Sequence, residues 1–166
     1  LPTIGVSGGP MLNGHHQGDI IGSGTGVWKL DADLNAGLIT EDDFIEAEIS
    51  MSRSKGNCMT MGTASTMGSM VEALGMSLPN NAAIPAVDSR RYALAHMSGK
   101  RIVSMVKENL NMSKIITKKS FENAIITASA LGASSNAPPH LIAIAKKLDI
   151  DLSLDDWERC GEKIPL

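Results

Sequence analysis

The chain has 166 residues, a formal net charge of −3 and 43% apolar residues, which suits one domain with its own core and is too short for two. Ten Met against two Phe, two Trp and one Tyr point to an aliphatic, adaptable core. With no basic block and so few rings, neither nucleic acid nor a membrane surface is expected as a partner.

No apolar run reaches the roughly 20 residues of a bilayer span. Residues 1–10 lack the charged start and cleavage pattern of a signal peptide. Two cysteines, Cys58 and Cys160, make no disulfide framework, so a cytoplasmic location is expected. Leu1-Pro2-Thr3 opens abruptly without an initiator Met. The chain is therefore expected to be a piece of a longer protein, a single partial domain over residues 1–166.

Thr3 to Ser7 is β-prone and is stopped by Gly8-Gly9-Pro10, which predicts a buried strand entering a turn. Met11 to Gly26 carries glycines at 14, 18, 22, 24 and 26, predicting an irregular loop that lies close to something. Val27 to Ala36 suits a helix ended by Gly37. Thr40-Glu41-Asp42-Asp43 reads as a capping box that opens a helix to about Ser52. Met67, Met70, Val71 and Leu74 fall at helical spacing before a stop at Gly75.

Leu78 to Pro85 holds two prolines and two asparagines and predicts a loop. From about Asp88 to Asn109, Leu94, Met97, Ile102, Met105 and Val106 mark a long helix, with Gly99 as a place to bend. Thr117 is placed to cap a helix carrying Phe121, Ala124, Ile125 and Ala128, closed by Gly132. Ser134-Ser135-Asn136 then caps another, with Leu141, Ile144, Ala145 and Leu148 as its inner stripe. A short helix starts near Leu154. The sum is an α/β chain rich in helices and poor in strands.

The chemistry concentrates in GNCMTMGTASTMGSMVEALGMSLP, Gly56 to Pro79. Cys58 lies in a turn just before a helix, where open N–H groups and the macrodipole favour a thiolate. Two readings stand for it: a small buried hydrophobe, or a metal ligand or nucleophile. Thr60, Thr63, Ser65 and Thr66 crowd the same turn, either to satisfy backbone groups or to hydrogen-bond an anionic ligand.

Other motifs weigh less. GSGTGV at residues 22–27 lacks the third glycine of a dinucleotide fingerprint. His15-His16 is a poor metal pair, since adjacent rings share no helix face. His96 and His140 fall in helical patterns, where a partly buried, hydrogen-bonded ring is the expectation. Glu41, Asp42, Asp43, Glu46 and Glu48 read as a solvated helix start. Cys160 has no partner in the pattern, and a Cys–His hydrolase would need a histidine to meet Cys58 in space.

The Gly56–Pro79 segment, VSGGPMLNG (Val6 to Gly14), NAAIPAVDSRRYALAHMSGKRIV (Asn81 to Val103) and ASSNAPPHLIAIAKKLDIDLSLDD (Ala133 to Asp156) together resemble the dihydroxy-acid dehydratase / phosphogluconate dehydratase family. The GTASTM wording is similar to the aldonate branch, the pentonate and related sugar-acid dehydratases. The resemblance implies the helix-rich part of a three-layer α/β/α N-terminal domain from a much longer enzyme that forms homo-oligomers. It implies an iron–sulfur cluster, two-iron or four-iron, held by three cysteines, with Mg²⁺ nearby.

On that resemblance Cys58 matches the third cluster cysteine, and Thr60, Thr63 and Ser65 line the cofactor. The other two cysteines, the Mg²⁺ ligands and the serine base belong to regions outside this chain. The implied reaction removes water from a 2,3-dihydroxy sugar acid, a small molecule, to give a 2-keto-3-deoxy acid. The isolated piece is expected to be inactive. Gly132-Ala133-Ser134-Ser135-Asn136 departs from the family's GGSTN, which puts a threonine contact in doubt. Two alternatives are a branched-chain dihydroxy-acid dehydratase and a non-catalytic remnant that self-associates through its Met-rich faces.

Overall fold

Helix starts and stops written into the sequence set most of the architecture. In the computed structural model, which describes residues 1–162 and 164–165, ten elements follow in order. A hairpin, β1 (Gly14–His16) and β2 (Asp19–Ile21), precedes α1 (Thr25–Asn35) and α2 (Glu41–Met51). Then come α3 (Thr63–Ala73), α4 (Arg90–Lys107), α5 (Met112–Ile115), α6 (Lys118–Ala130), α7 (Ala137–Lys147) and α8 (Leu154–Gly161). The result is a helix-rich α/β fold.

The capping boxes explain two boundaries directly. Thr40 accepts from the Asp43 N–H while the Asp43 carboxylate accepts from the Thr40 N–H, opening α2. Thr117 and Ser120 do the same for α6. Each satisfies two N–H groups that the first helical turn leaves open.

The core is built around α6. Phe121, Ala124, Ile125 and Ala128 are buried, as their spacing predicts, against Met70 and Leu74 of α3 and Leu141 and Ala145 of α7. Ile116 and Leu152 close the ends, while Trp157 and Cys160 of α8 pack on its margin. This cluster fixes α3, and with it the turn that precedes α3.

Four expectations change. The β-prone run Thr3 to Ser7 is not a buried strand: Gly5 makes one isolated parallel bridge to Ser77, and Val6 is exposed. It has no neighbour that continues the ladder. Met11 to Gly26 is not wholly irregular, because Gln17 and Gly18 both take positive φ, 49° and 91°. That is the backbone of a primed hairpin turn, and it pairs Gly14 with Ile21 and His16 with Asp19.

α4 runs without interruption through Gly99, but its apolar residues divide between two faces. Leu94 and Met105 are buried beside Arg91 and Ser98, whereas Met97 and Val106 are 57% and 61% exposed. Polar residues hold two of the inward positions that hydropathy alone assigns to apolar ones. The one-turn helix α5 has too few residues to show a period.

α8 is fastened to α6 by charge. Asp156 accepts from Arg159 Nη2 at 2.8 Å, from Lys118 Nζ at 2.8 Å and from the Ser153 N–H at 3.0 Å. Those bonds, Arg159 first, hold its carboxyl well below the usual aspartate range. A depressed folded-state pKa gives stability that is present above the unfolded value of about 3.9 and is lost as pH falls through the folded value. Asp156→Asn is therefore expected to unfold in less urea at pH 7, with the gap to the parent closing in acid. Phe121→Ala, which empties the centre of the core, is expected to lose about 3–5 kcal/mol by urea titration.

Candidate functional site

Cys58 sits at the end of a short ladder between distant segments. The Asn57 N–H donates to the Gly9 carbonyl at 3.0 Å, and the Met11 N–H donates to the Asn57 carbonyl at 2.9 Å. Gly56 takes φ 135° directly against Met11, where an added Cβ would stand 2.4 Å from the Met11 nitrogen. Only glycine fits that approach. The next residue but one, Cys58, projects from the ladder into the turn before α3.

Two hydroxyls meet its sulfur. Ser23 Oγ lies 2.6 Å from Sγ and Thr60 Oγ1 lies 3.0 Å away. Burial pushes the thiol pKa up, but hydrogen bonds from Ser23, from the Thr60 hydroxyl and from the Thr60 backbone outweigh it. The net displacement is downward. The sulfur is half-buried, so the reading of Cys58 as an inert core residue does not hold.

The remaining hydroxyls divide by task. Ser65 Oγ donates to the Cys58 carbonyl at 2.8 Å and accepts from Asn57 Nδ2 at 3.1 Å. Asn57 Nδ2 also donates to that carbonyl at 3.0 Å. Thr66 is fully buried and accepts from the Ser134 N–H at 3.0 Å. Thr63 Oγ1 accepts from Asn136 Nδ2 at 2.7 Å. Thus Thr60 touches the sulfur, Ser65 supports its backbone, and Thr63 ties the α3 start to the α7 start.

α3 begins at Gly62 with no side-chain cap. Its first N–H groups are therefore left for other acceptors, and the positive end of its dipole faces the same turn. α7 offers no such donors, because Pro138 and Pro139 lack N–H groups and the Ala137 N–H bonds to the Ser134 carbonyl.

Ser23 and Asn57 escape the sequence reading, and Ser134 and Asn136, read there as caps of α7, instead reach α3, since Asn136 makes no side-chain cap. The one available signal for Ser23 was its position between Gly22 and Gly24. A Cβ at Gly22 would stand 3.1 Å from Thr60 Cγ2 and 3.2 Å from Met59 Sδ, which is the close approach that loop was expected to make. His96 and His140, expected to be partly buried, are both exposed on the outer faces of α4 and α7. Neither they nor Cys160, on the core margin of α8, bond to Cys58. Among the described residues no three of His, Cys, Asp and Glu converge as a metal group.

The family model described as dihydroxy-acid/6-phosphogluconate dehydratase N-terminal matches residues 1–166. The chain is similar to the L-arabinonate dehydratase of Rhizobium leguminosarum bv. trifolii, 60% identical over 165 residues, covering 99% of this chain and 28% of that protein. It is 46% identical over 166 residues to the D-xylonate dehydratase of Caulobacter vibrioides, covering 100% and 28%. To the dihydroxy-acid dehydratase of Halothermothrix orenii it is 41% identical over 165 residues, covering 99% and 30%. The chain thus spans less than a third of the length of these curated relatives.

If the two hydroxyls hold the thiolate, Ser23→Ala combined with Thr60→Val is expected to slow iodoacetamide alkylation of Cys58 at pH 7 about three- to tenfold. The measurement is made in a Cys160→Ser background, where Cys58 is the one thiol left.

Proposed function

Since the chain belongs to the dihydroxy-acid/6-phosphogluconate dehydratase family, matching its N-terminal part, we propose that it serves a hydro-lyase acting on a sugar-derived 2,3-dihydroxy acid. The products are a 2-keto-3-deoxy acid and one water. The observation that carries this reading is the Cys58 thiol, placed between two hydroxyls and ahead of an uncapped helix. The identity to L-arabinonate dehydratase along nearly the whole chain favours an aldonate as substrate.

An iron–sulfur cluster fits the donor set here as far as one ligand. Cys58 is a soft donor at a half-open position whose thiol pKa is displaced downward, the kind of ligand such clusters take. The chain supplies no second one, because Cys160 packs on the core margin. When bound, a cluster with an open iron supplies Lewis acidity toward the departing hydroxyl. Among the described residues no three of His, Cys, Asp and Glu come together, and no role for Mg²⁺ is derived from this chain.

The chain's own residues have definable tasks. The Ser23 and Thr60 hydroxyls, within hydrogen-bond reach of the sulfur, favour its thiolate form. Ser65 and Asn57 fix the Cys58 carbonyl, which stops the turn from rotating. Asn136 and Ser134 lock the α3 start against α7. The open N–H groups of α3 favour an anion, such as a substrate carboxylate, over water at that end.

The test uses a full-length protein containing this chain, purified without oxygen and assayed on an aldonate and on a branched-chain 2,3-dihydroxy acid. Faster turnover of the aldonate, together with loss of both visible absorption and turnover in Cys58→Ser, is the expected result. An unchanged spectrum in that variant removes Cys58 as a ligand, and preference for the branched acid removes the sugar-acid assignment. The 166-residue chain by itself is expected to turn over neither.

A further inference from the structure

Arg91 lies in the first turn of α4, is 7% exposed, and has no carboxylate hydrogen-bonded to it. The nearby Asp88 is paired with Arg90 instead, at 2.6 Å. Arg91 spends its guanidinium on backbone and amide oxygens. Nη1 donates to the Ser7 carbonyl at 3.0 Å, the Asn81 carbonyl at 2.8 Å and Asn81 Oδ1 at 3.2 Å. Nη2 donates to the Ile84 carbonyl. Its Nε, and Nδ2 of the fully buried Asn81, have no hydrogen-bond partner among the described residues.

Stability alone gives little reason for this arrangement. A buried cation with an unmatched donor is costly to desolvate, and an apolar side chain of similar volume is often no worse. What the planar fork does provide is position. It joins two segments, the Ser7–Gly9 stretch and the Asn81–Ile84 loop, and it packs closely on the first at Gly9. Gly9, at φ 90°, has no room for a side chain: a Cβ would stand 2.6 Å from Arg91 Nη2 and 2.5 Å from the Ile84 carbonyl oxygen.

Gly9 is also the residue whose carbonyl receives the Asn57 N–H, and Pro10 beside it receives the Ala86 N–H at 2.8 Å. One contact and one hydrogen bond therefore separate the guanidinium from the residue before Cys58. We propose that Arg91 is a positioning residue that sets where the Cys58 turn lies relative to Ser23, acting through Gly9 and Asn57. The geometric part stands without the dehydratase reading, and only its bearing on a cluster rests on that reading.

Backbone amide exchange in this chain, read by NMR, tests the geometry with no cluster involved. Arg91→Met is expected to speed exchange of the Asn57 and Met11 amides about tenfold while leaving Ile125 and Ala128 of α6 unchanged. Gly9→Ala should do the same, and the double variant should be no worse than the worse single one, since both break one contact. Arg91→Lys, which keeps the charge and some donors, should recover part of the protection, and Arg90→Met should alter nothing.

Unaltered exchange at Asn57 and Met11 in both Arg91→Met and Gly9→Ala overturns the proposal. Equal acceleration in α6 also overturns it, because Arg91 is then a general stabiliser. If Arg91→Met does not fold, the Arg91→Lys and Gly9→Ala pair decides on the same criteria. In the full-length protein, a chelator should strip iron from Arg91→Met about tenfold faster. A parent protein that holds no iron at all refutes the cluster reading and leaves the exchange result standing.

Discussion

A thiol whose pKa is displaced downward needs hydrogen-bonding partners, and this chain gathers them from segments far apart in sequence. Ser23 comes from the glycine-rich loop after the hairpin, and Thr60 from the turn itself. The open start of α3 adds the field of a helix dipole. Each contribution is modest alone. The two hydroxyls, with the Thr60 backbone, outweigh the upward push of burial on Cys58.

That arrangement rests on a division between a rigid support and a polar seam. The support is the cluster about Phe121, Ile125, Met70 and Leu141, which leaves α3 little freedom to shift. The seam has Arg91 and Asn81 on one side and Gly9, Asn57 and Ser65 on the other. Apolar packing fixes where α3 begins but says nothing about how a loop rotates in front of it. Hydrogen bonds with defined directions do that, which is why the polar residues collect there.

Helices were legible because their signals are local. Thr40 and Thr117 announce their capping boxes, and Phe121, Ala124, Ile125 and Ala128 keep a helical period along one face. The position of Cys58 just ahead of α3 was legible too, from the helical spacing of Met67, Met70, Val71 and Leu74. The partners were not. Ser23 lies 35 positions from Cys58, and Asn136 lies 73 from Thr63, and no periodicity reports a meeting of that kind. Arg91 and Ser98 fill inward positions of α4 with polar groups, so the apolar residues that mark the helix do not all lie on its buried face. The hairpin was missed because its turn depends on positive φ at Gln17 as well as Gly18, and glutamine gives no hint of it.

The starts of α3 and α7 show how composition leaves open donors at one helix when two begin side by side. Asn136 and Thr63 join the two starts at 2.7 Å, so both dipoles point into the same region. Direct binding, however, needs N–H groups. Pro138 and Pro139 remove them from the first turn of α7, and the Ala137 N–H is already taken by the Ser134 carbonyl. Gly62 leaves those of α3 uncapped. Among the described residues, the open N–H groups at this corner are therefore those of α3, in the turn that holds Thr60 and Cys58.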